Sequence, residues 1–80
     1  AVASAPEVTV YTSPRCIPCE ELKRHLTSHD IAFNLVDVML DEDAQDMLEG
    51  AGFHDTPVIA IDGDLLDGAD VEQVNARLGL

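Results

Sequence analysis

Cys16 and Cys19 are the only cysteines in this chain of 80 residues. The pair, Cys16-Ile17-Pro18-Cys19, falls between two segments of opposite character. Glu7-Val8-Thr9-Val10-Tyr11 alternates valines with polar neighbours, the period of a strand, whereas Glu20-Glu21-Leu22-Lys23-Arg24-His25-Leu26 reads as helix. A C-x-x-C at a strand-to-helix turn puts the leading thiol at a helix N-terminus, beside partial positive charge. An ordinary cysteine is only about 3% thiolate at neutral pH, and such a placement with an adjacent cation raises that fraction to about half or more. Arg15 is the adjacent cation; Glu20 and Glu21 oppose it. A disulfide closing so short a loop removes little entropy from the unfolded chain, so stapling is a poor use of it. The motif points to dithiol redox chemistry.

The other segments follow in order. Strand 1 is expected at about 7–12, then a loop with Pro14, then a helix over about 16–29. That helix buries Cys19, Leu22 and Leu26, and Pro18 is tolerated because it falls in the first turn. Ile31 to Val38 is a nearly continuous apolar run, expected as a strand covered on both faces in a parallel sheet. Asp41-Glu42-Asp43 opens a second helix with the charge that its dipole favours; Ala44, Met47, Leu48 and Ala51 mark its apolar face, and Gly50 and Gly52 end it. Thr56-Pro57 precedes a β-rich run, Val58-Ile59-Ala60-Ile61. Asp62-Gly63 is a hairpin turn back into Asp64-Leu65-Leu66. Asp67-Gly68-Ala69 turns again, and Asp70 with Gln73 forms a capping box for a last helix carrying Val71, Val74 and Leu78. The expected architecture is α/β, β-α-β-α-β-β-α, with a four-stranded mixed sheet flanked by helices.

Composition excludes several functions. So short a chain supports one core, expected over 7–80 after a flexible tail at 1–6. Sixteen acidic against four basic residues, a net charge of -12, argue against binding nucleic acid or anionic membranes. Such a lysine-poor surface suits solubility. No apolar run approaches the roughly 18 residues of a membrane span. Two cysteines do not make the disulfide framework of a small secreted scaffold, so a reduced, cytoplasmic setting and a monomer are expected.

Metal binding needs a separate check, because Cys16, Cys19, His25 and His29 spell C-x2-C-x5-H-x3-H. On one helix, His25 lies about 9 Å and His29 about 15 Å along the axis from Cys19. Four zinc ligands must converge on one ion. They cannot do so from one straight helix, so no metal ligand is assigned. His54 reads as a solvated loop residue.

The order of elements, with the C-x-x-C after strand 1 and a Thr-Pro before strand 3, resembles the thioredoxin fold in its glutaredoxin form. The likeness spans about 7–78. It rests on Tyr11-Thr12-Ser13-Pro14-Arg15-Cys16-Ile17-Pro18-Cys19, on Asp55-Thr56-Pro57-Val58 and on Asp67-Gly68-Ala69-Asp70. It implies a dithiol–disulfide oxidoreductase acting on protein disulfides or mixed disulfides. Cys16 is then the attacking thiolate and Cys19 the resolving thiol, with no bound cofactor beyond their redox-active disulfide. Pro57 is the cis-proline facing them, and the main chain of Thr56 pairs with a bound substrate. Arg15, Gly68, Ala69 and Asp70 complete the expected substrate contacts; Asp70 and the backbone after Gly68 hold the γ-glutamyl end of glutathione if that is the co-substrate.

Several positions depart from the glutaredoxin pattern. Many glutathione-using members have a lysine where Ser13 stands, and the first glycine of the late turn is Asp67. Pro18 directly before the second cysteine is similar to thioredoxins. The short chain and the acidic segment after the second strand resemble NrdH-type redoxins, which draw electrons from thioredoxin reductase, although those usually lack Pro18. Glutathione and thioredoxin reductase are both open as electron donor. A non-enzymatic binding, metal or iron–sulfur module on the same scaffold is the alternative reading; Pro18 and the dithiol motif argue against a bridging cluster.

Overall fold

The computed structural model describes residues 7–80; the tail expected at 1–6 lies outside the described residues. The described residues form four strands, β1 (Val8–Thr12), β2 (Asn34–Asp37), β3 (Val58–Ile61) and β4 (Asp64–Asp67), and three helices, α1 (Ile17–Ser28), α2 (Glu42–Gly50) and α3 (Val71–Leu78). The order is the β-α-β-α-β-β-α read from the sequence. In the sheet the strands run β2-β1-β3-β4. β1 pairs parallel with β2 and antiparallel with β3, and β3 pairs antiparallel with β4.

Period-two alternation on β1 and β3 divides the interior into two layers. Val8, Val10, Ile59 and Ile61 face one side, where they pack with Leu22 and Leu26 of α1 and Val74 of α3. Val58 faces the other side with Val38 and with Ala44 and Leu48 of α2, and Tyr11, Val36 and Leu65 pack against that group. The register enforces this separation. Val10 lies opposite Ile59 and Val8 opposite Ile61, while Tyr11 lies opposite Val58, so a one-residue slip would exchange the layers.

The turns are built as their residues demand. Asp62 and Gly63 both have positive φ, 52° and 90°, as a two-residue primed hairpin requires. Asp62 also clamps the start of β1: its carboxylate accepts from the Glu7 amide at 2.9 Å and its own amide donates to the Glu7 carbonyl at 2.8 Å. Asp41 caps α2, accepting from the Ala44 amide at 3.0 Å, and Asp70 caps α3, accepting from Gln73 at 3.2 Å.

The second strand differs from the expectation. It spans Asn34–Asp37 rather than Ile31–Val38, it is an edge strand, and Leu35 on it is 53% exposed. The backbone explains its late start. The amides of His29 and Ile31 donate to the Leu26 carbonyl, and that of Asp30 to Thr27, so these residues close the end of α1 before a ladder can begin. Asp30 turns the chain at φ 57°. Ile31 and Phe33 still pack on the larger core, and their apolarity, which extended the sequence reading, is spent there.

This packing predicts a contrast between two leucines. Leu26→Ala, at 0% exposure, should cost about 2–5 kcal/mol, whereas edge residue Leu35→Ala should fall within about 0.5 kcal/mol of the parent. Urea unfolding of both variants measures this; equal losses would contradict the edge position of β2.

Candidate active site

α1 begins at Ile17, and the residue that caps it is Cys16. Cys16 has extended backbone (φ −102°, ψ 103°), and its Sγ accepts from the Cys19 amide at 3.2 Å. The usual cap is a hydroxyl or carboxylate oxygen; here a sulfur holds that position. The cap carbonyl receives the Glu20 amide at 3.2 Å, which starts the helical ladder. Pro18, at the second helical position, has no N–H to offer. The Cys19 amide is therefore the first-turn donor aimed at the sulfur.

The two sulfurs form a disulfide, with Cα atoms 5.2 Å apart. Their exposures are unequal. Cys16 is half-buried at the surface, while Cys19 is 1% exposed and lies on the face of α1 that carries Leu22 and Leu26. An external disulfide can reach the first sulfur; the second can be reached by the first.

The Thr56–Pro57 bond is cis, and the loop that carries it runs alongside the sulfur. The Thr56 carbonyl oxygen is 3.7 Å from Cys16 Sγ, and the Thr56 hydroxyl donates to that Sγ over 3.6 Å. Behind Thr56, the Ser13 hydroxyl shares a hydrogen bond of 2.7 Å with Thr56 Oγ1. Ser13, Met39, Phe53, His54, Asp55 and Thr56 line a groove of about 220 Å³ between the Thr56 loop and α2.

Gly68 supports this loop from below. Its amide donates to the Pro57 carbonyl at 3.0 Å. A Cβ on residue 68 would stand 2.8 Å from Leu22 Cδ2 and 3.0 Å from Pro57 Cβ, so only glycine permits the approach. The remaining late-turn groups are engaged within the turn. The Asp67 carboxylate accepts from the Ala69 amide at 2.9 Å, the Asp67 carbonyl accepts from the Asp70 amide at 3.1 Å, and the Asp70 carboxylate caps α3.

The expected site residues therefore separate into groups. Cys16, Cys19, Thr56, Pro57 and Gly68 come together in one packed unit. Ala69 and Asp70 flank it, exposed. Arg15 is exposed, adopts φ 59° and forms no ion pair among the described residues. Lys23 instead pairs with Glu20 at 2.9 Å, a surface pair of small energetic consequence. His25 donates to Asn75 Oδ1 at 2.7 Å, tying α1 to α3. Among the described residues, no group of three or more His, Cys, Asp or Glu side chains is placed to hold a metal ion.

Two contributors were not legible as such in the sequence. Ser13 counted there only as a missing lysine, and Asp67 as a missing glycine. Asp67 had a signal, since an aspartate opening a tight turn commonly accepts from the amide two residues on. Ser13 had none, because its partner lies 43 positions away.

A parallel-antiparallel sheet of this order, with an accessible and a buried cysteine at the first helix N-terminus and a cis-proline opposite, defines a thioredoxin-like thiol–disulfide oxidoreductase. Comparison with known proteins narrows this. The glutaredoxin family profile matches residues 8–66. The glutaredoxin-like protein NrdH of Salmonella typhimurium is 40% identical over 58 residues, covering 72% of this chain and 70% of that protein. Among solved structures, the thioredoxin-like protein BC3987 superposes with a TM-score of 0.81 at 32% identity, over 90% of this chain and 100% of that one. The glutaredoxin-like NrdH-redoxin from Escherichia coli also gives a TM-score of 0.81, at 24% identity, over 88% of this chain and 92% of that one. The chain belongs to the glutaredoxin family.

The packing of Gly68 yields a direct test. Gly68→Ala should destabilise the protein by about 1–3 kcal/mol through overpacking against buried Leu22 and Pro57. It should also slow reduction of a protein disulfide, because Pro57 and Thr56 shift together. Urea unfolding and an insulin-reduction assay measure the two effects; an unchanged variant would contradict the close approach.

Proposed function

We propose that this protein is a dithiol electron carrier that reduces disulfides of other proteins and is itself recycled by thioredoxin reductase rather than by glutathione. The observation that carries the choice of donor is the self-satisfied late turn. Glutathione would present a carboxylate to the backbone after Gly68, yet the Ala69 and Asp70 amides both already donate to Asp67. Binding there would require breaking these bonds and placing an anion beside the Asp67 carboxylate, a combination that costs about as much as an unsatisfied polar group. Ser13, in place of a lysine, offers no cation. The net charge of -12 adds long-range repulsion of an anionic tripeptide, screened at physiological salt. The likeness to a protein called NrdH, and to NrdH-type redoxins as a class, supports the same donor.

The chemistry follows from the unequal exposure of the two sulfurs. The Cys16 thiolate, favoured at the N-terminus of α1, attacks one sulfur of a substrate disulfide and expels the other as a thiolate. Cys19 then loses its proton and attacks Cys16 Sγ. The Cys16–substrate bond breaks, the Cys16–Cys19 bond forms, and the substrate's second thiolate leaves. Two electrons have passed from the cysteine pair to the substrate. Thr56 contributes main-chain pairing to the bound polypeptide, beside which the groove at Ser13 and Met39 lies open. We place this activity in the cytoplasm and assign it to a monomer, in keeping with a reduced setting for the dithiol.

The test supplies oxidised protein with NADPH and either thioredoxin reductase or glutathione plus glutathione reductase, and follows loss of NADPH. Rapid loss with thioredoxin reductase alone is expected, and Cys16→Ser should abolish it. Asp67→Gly, which frees the Ala69 amide, should raise the glutathione-dependent rate. Rapid loss with the glutathione system alone would overturn the assigned donor.

A further inference from the structure

Apart from the two cysteines, the side chain hydrogen-bonded to the reactive sulfur among the described residues is Thr56, whose hydroxyl is itself bonded to Ser13. We propose that Ser13 is a positioning residue for Cys16, acting through Thr56. Thr56 Oγ1 carries one proton, and a thiolate can only accept. With Cys16 ionised, that proton points along the 3.6 Å contact to Sγ. The 2.7 Å bond between Ser13 and Thr56 must then be donated by Ser13. The chain runs Ser13 O–H to Thr56 O–H to sulfur, each donor polarised by the next acceptor. When the sulfur is a thiol, it needs no donor, and the Thr56 proton is free to turn to Ser13. Ser13 thus stabilises the thiolate selectively, because its orientation of Thr56 matters only in the charged state, where the hydrogen bond is charge-assisted.

Competing influences surround the sulfur without touching it. Arg15 precedes Cys16, Glu20 and Glu21 follow in α1, and His54 and Asp55 precede Thr56, with Glu49 across the groove. Among the described residues, none of these side chains is hydrogen-bonded to Ser13, Thr56 or Cys16; the Glu20 amide reaches only the Cys16 carbonyl, in the helical ladder. Thr56 supplies the side-chain donor to the sulfur, and Ser13 holds Thr56. Among the described residues, Ser13 is the hydroxyl of β1 and its following loop that is hydrogen-bonded to Thr56.

The inference rests on Cys16 being the attacking sulfur, and is independent of which reductase serves the protein. It is tested by titrating the ultraviolet absorbance of the thiolate in reduced protein carrying Cys19→Ser, so that one thiol titrates. Ser13→Ala should raise the Cys16 pKa by about half a unit or more, and Ser13→Thr should return it to the parent value. Thr56→Val should raise it at least as far, and adding Ser13→Ala to Thr56→Val should produce no further shift, the mark of two residues acting in series. An unshifted Ser13→Ala, or the same shift with and without the Thr56 hydroxyl, overturns the proposal. A low-pKa thiol that survives Cys16→Ser in a chain retaining Cys19 overturns the assignment of Cys16, and this proposal with it.

Discussion

A sulfur atom stands where a helix cap belongs, and the active site is arranged about that substitution. The Cys19 amide bonds to Cys16 Sγ, so the donor that would otherwise be left over at the start of α1 is directed at the group that must become negative. The same short turn fixes the second sulfur one helical turn along, on the face that packs into the core. Reactivity and protection are thus set by one element: the cap is reachable, and the residue three positions later is not. Pro18 sharpens the arrangement, since it starts the helix without adding a donor.

The helix end would be of little use without a wall opposite it. That wall is the Thr56–Pro57 loop, and its position is set by close packing rather than by hydrogen bonds alone. Gly68 lies against Pro57 and Leu22 with no room for a side chain, which couples the hairpin β3–β4 to α1 beneath the sulfurs. Ser13 fastens the upper side of the same loop to the end of β1. Thr56 is held between these two contacts. Its carbonyl and hydroxyl face Cys16, and a groove lined by Ser13, Met39 and Phe53 lies on the neighbouring surface.

Much of this arrangement is legible in the amino-acid sequence. The alternation of Val8 and Val10, the Asp62-Gly63 turn and the Leu22–Leu26 stripe each specify an element by local physics, and their order specifies the sheet. Cys16 and Cys19 were legible because they are the only cysteines and stand as C-x-x-C at a strand-to-helix turn, where a thiolate is favoured. The edge position of β2 was not, since Ile31 and Phe33 are apolar for reasons of packing and give the same run of letters as a strand. Nor were the roles of Ser13 and Asp67. Each depends on which hydrogen-bonding group the fold brings within about 3 Å, and local composition carries that information only where the partner is a near neighbour in sequence, as for Asp67 and Ala69.

The central claim is that the cap geometry makes the two cysteines chemically unequal. It is tested most directly by alkylating the fully reduced protein with iodoacetamide over a range of pH and locating the label by mass spectrometry. The account predicts that label accumulates on Cys16, with a pH midpoint below the value of about 8.5 for an ordinary cysteine, while Cys19 stays unmodified in folded protein. Label on Cys19 first, or equal labelling of both with an ordinary midpoint, would contradict it.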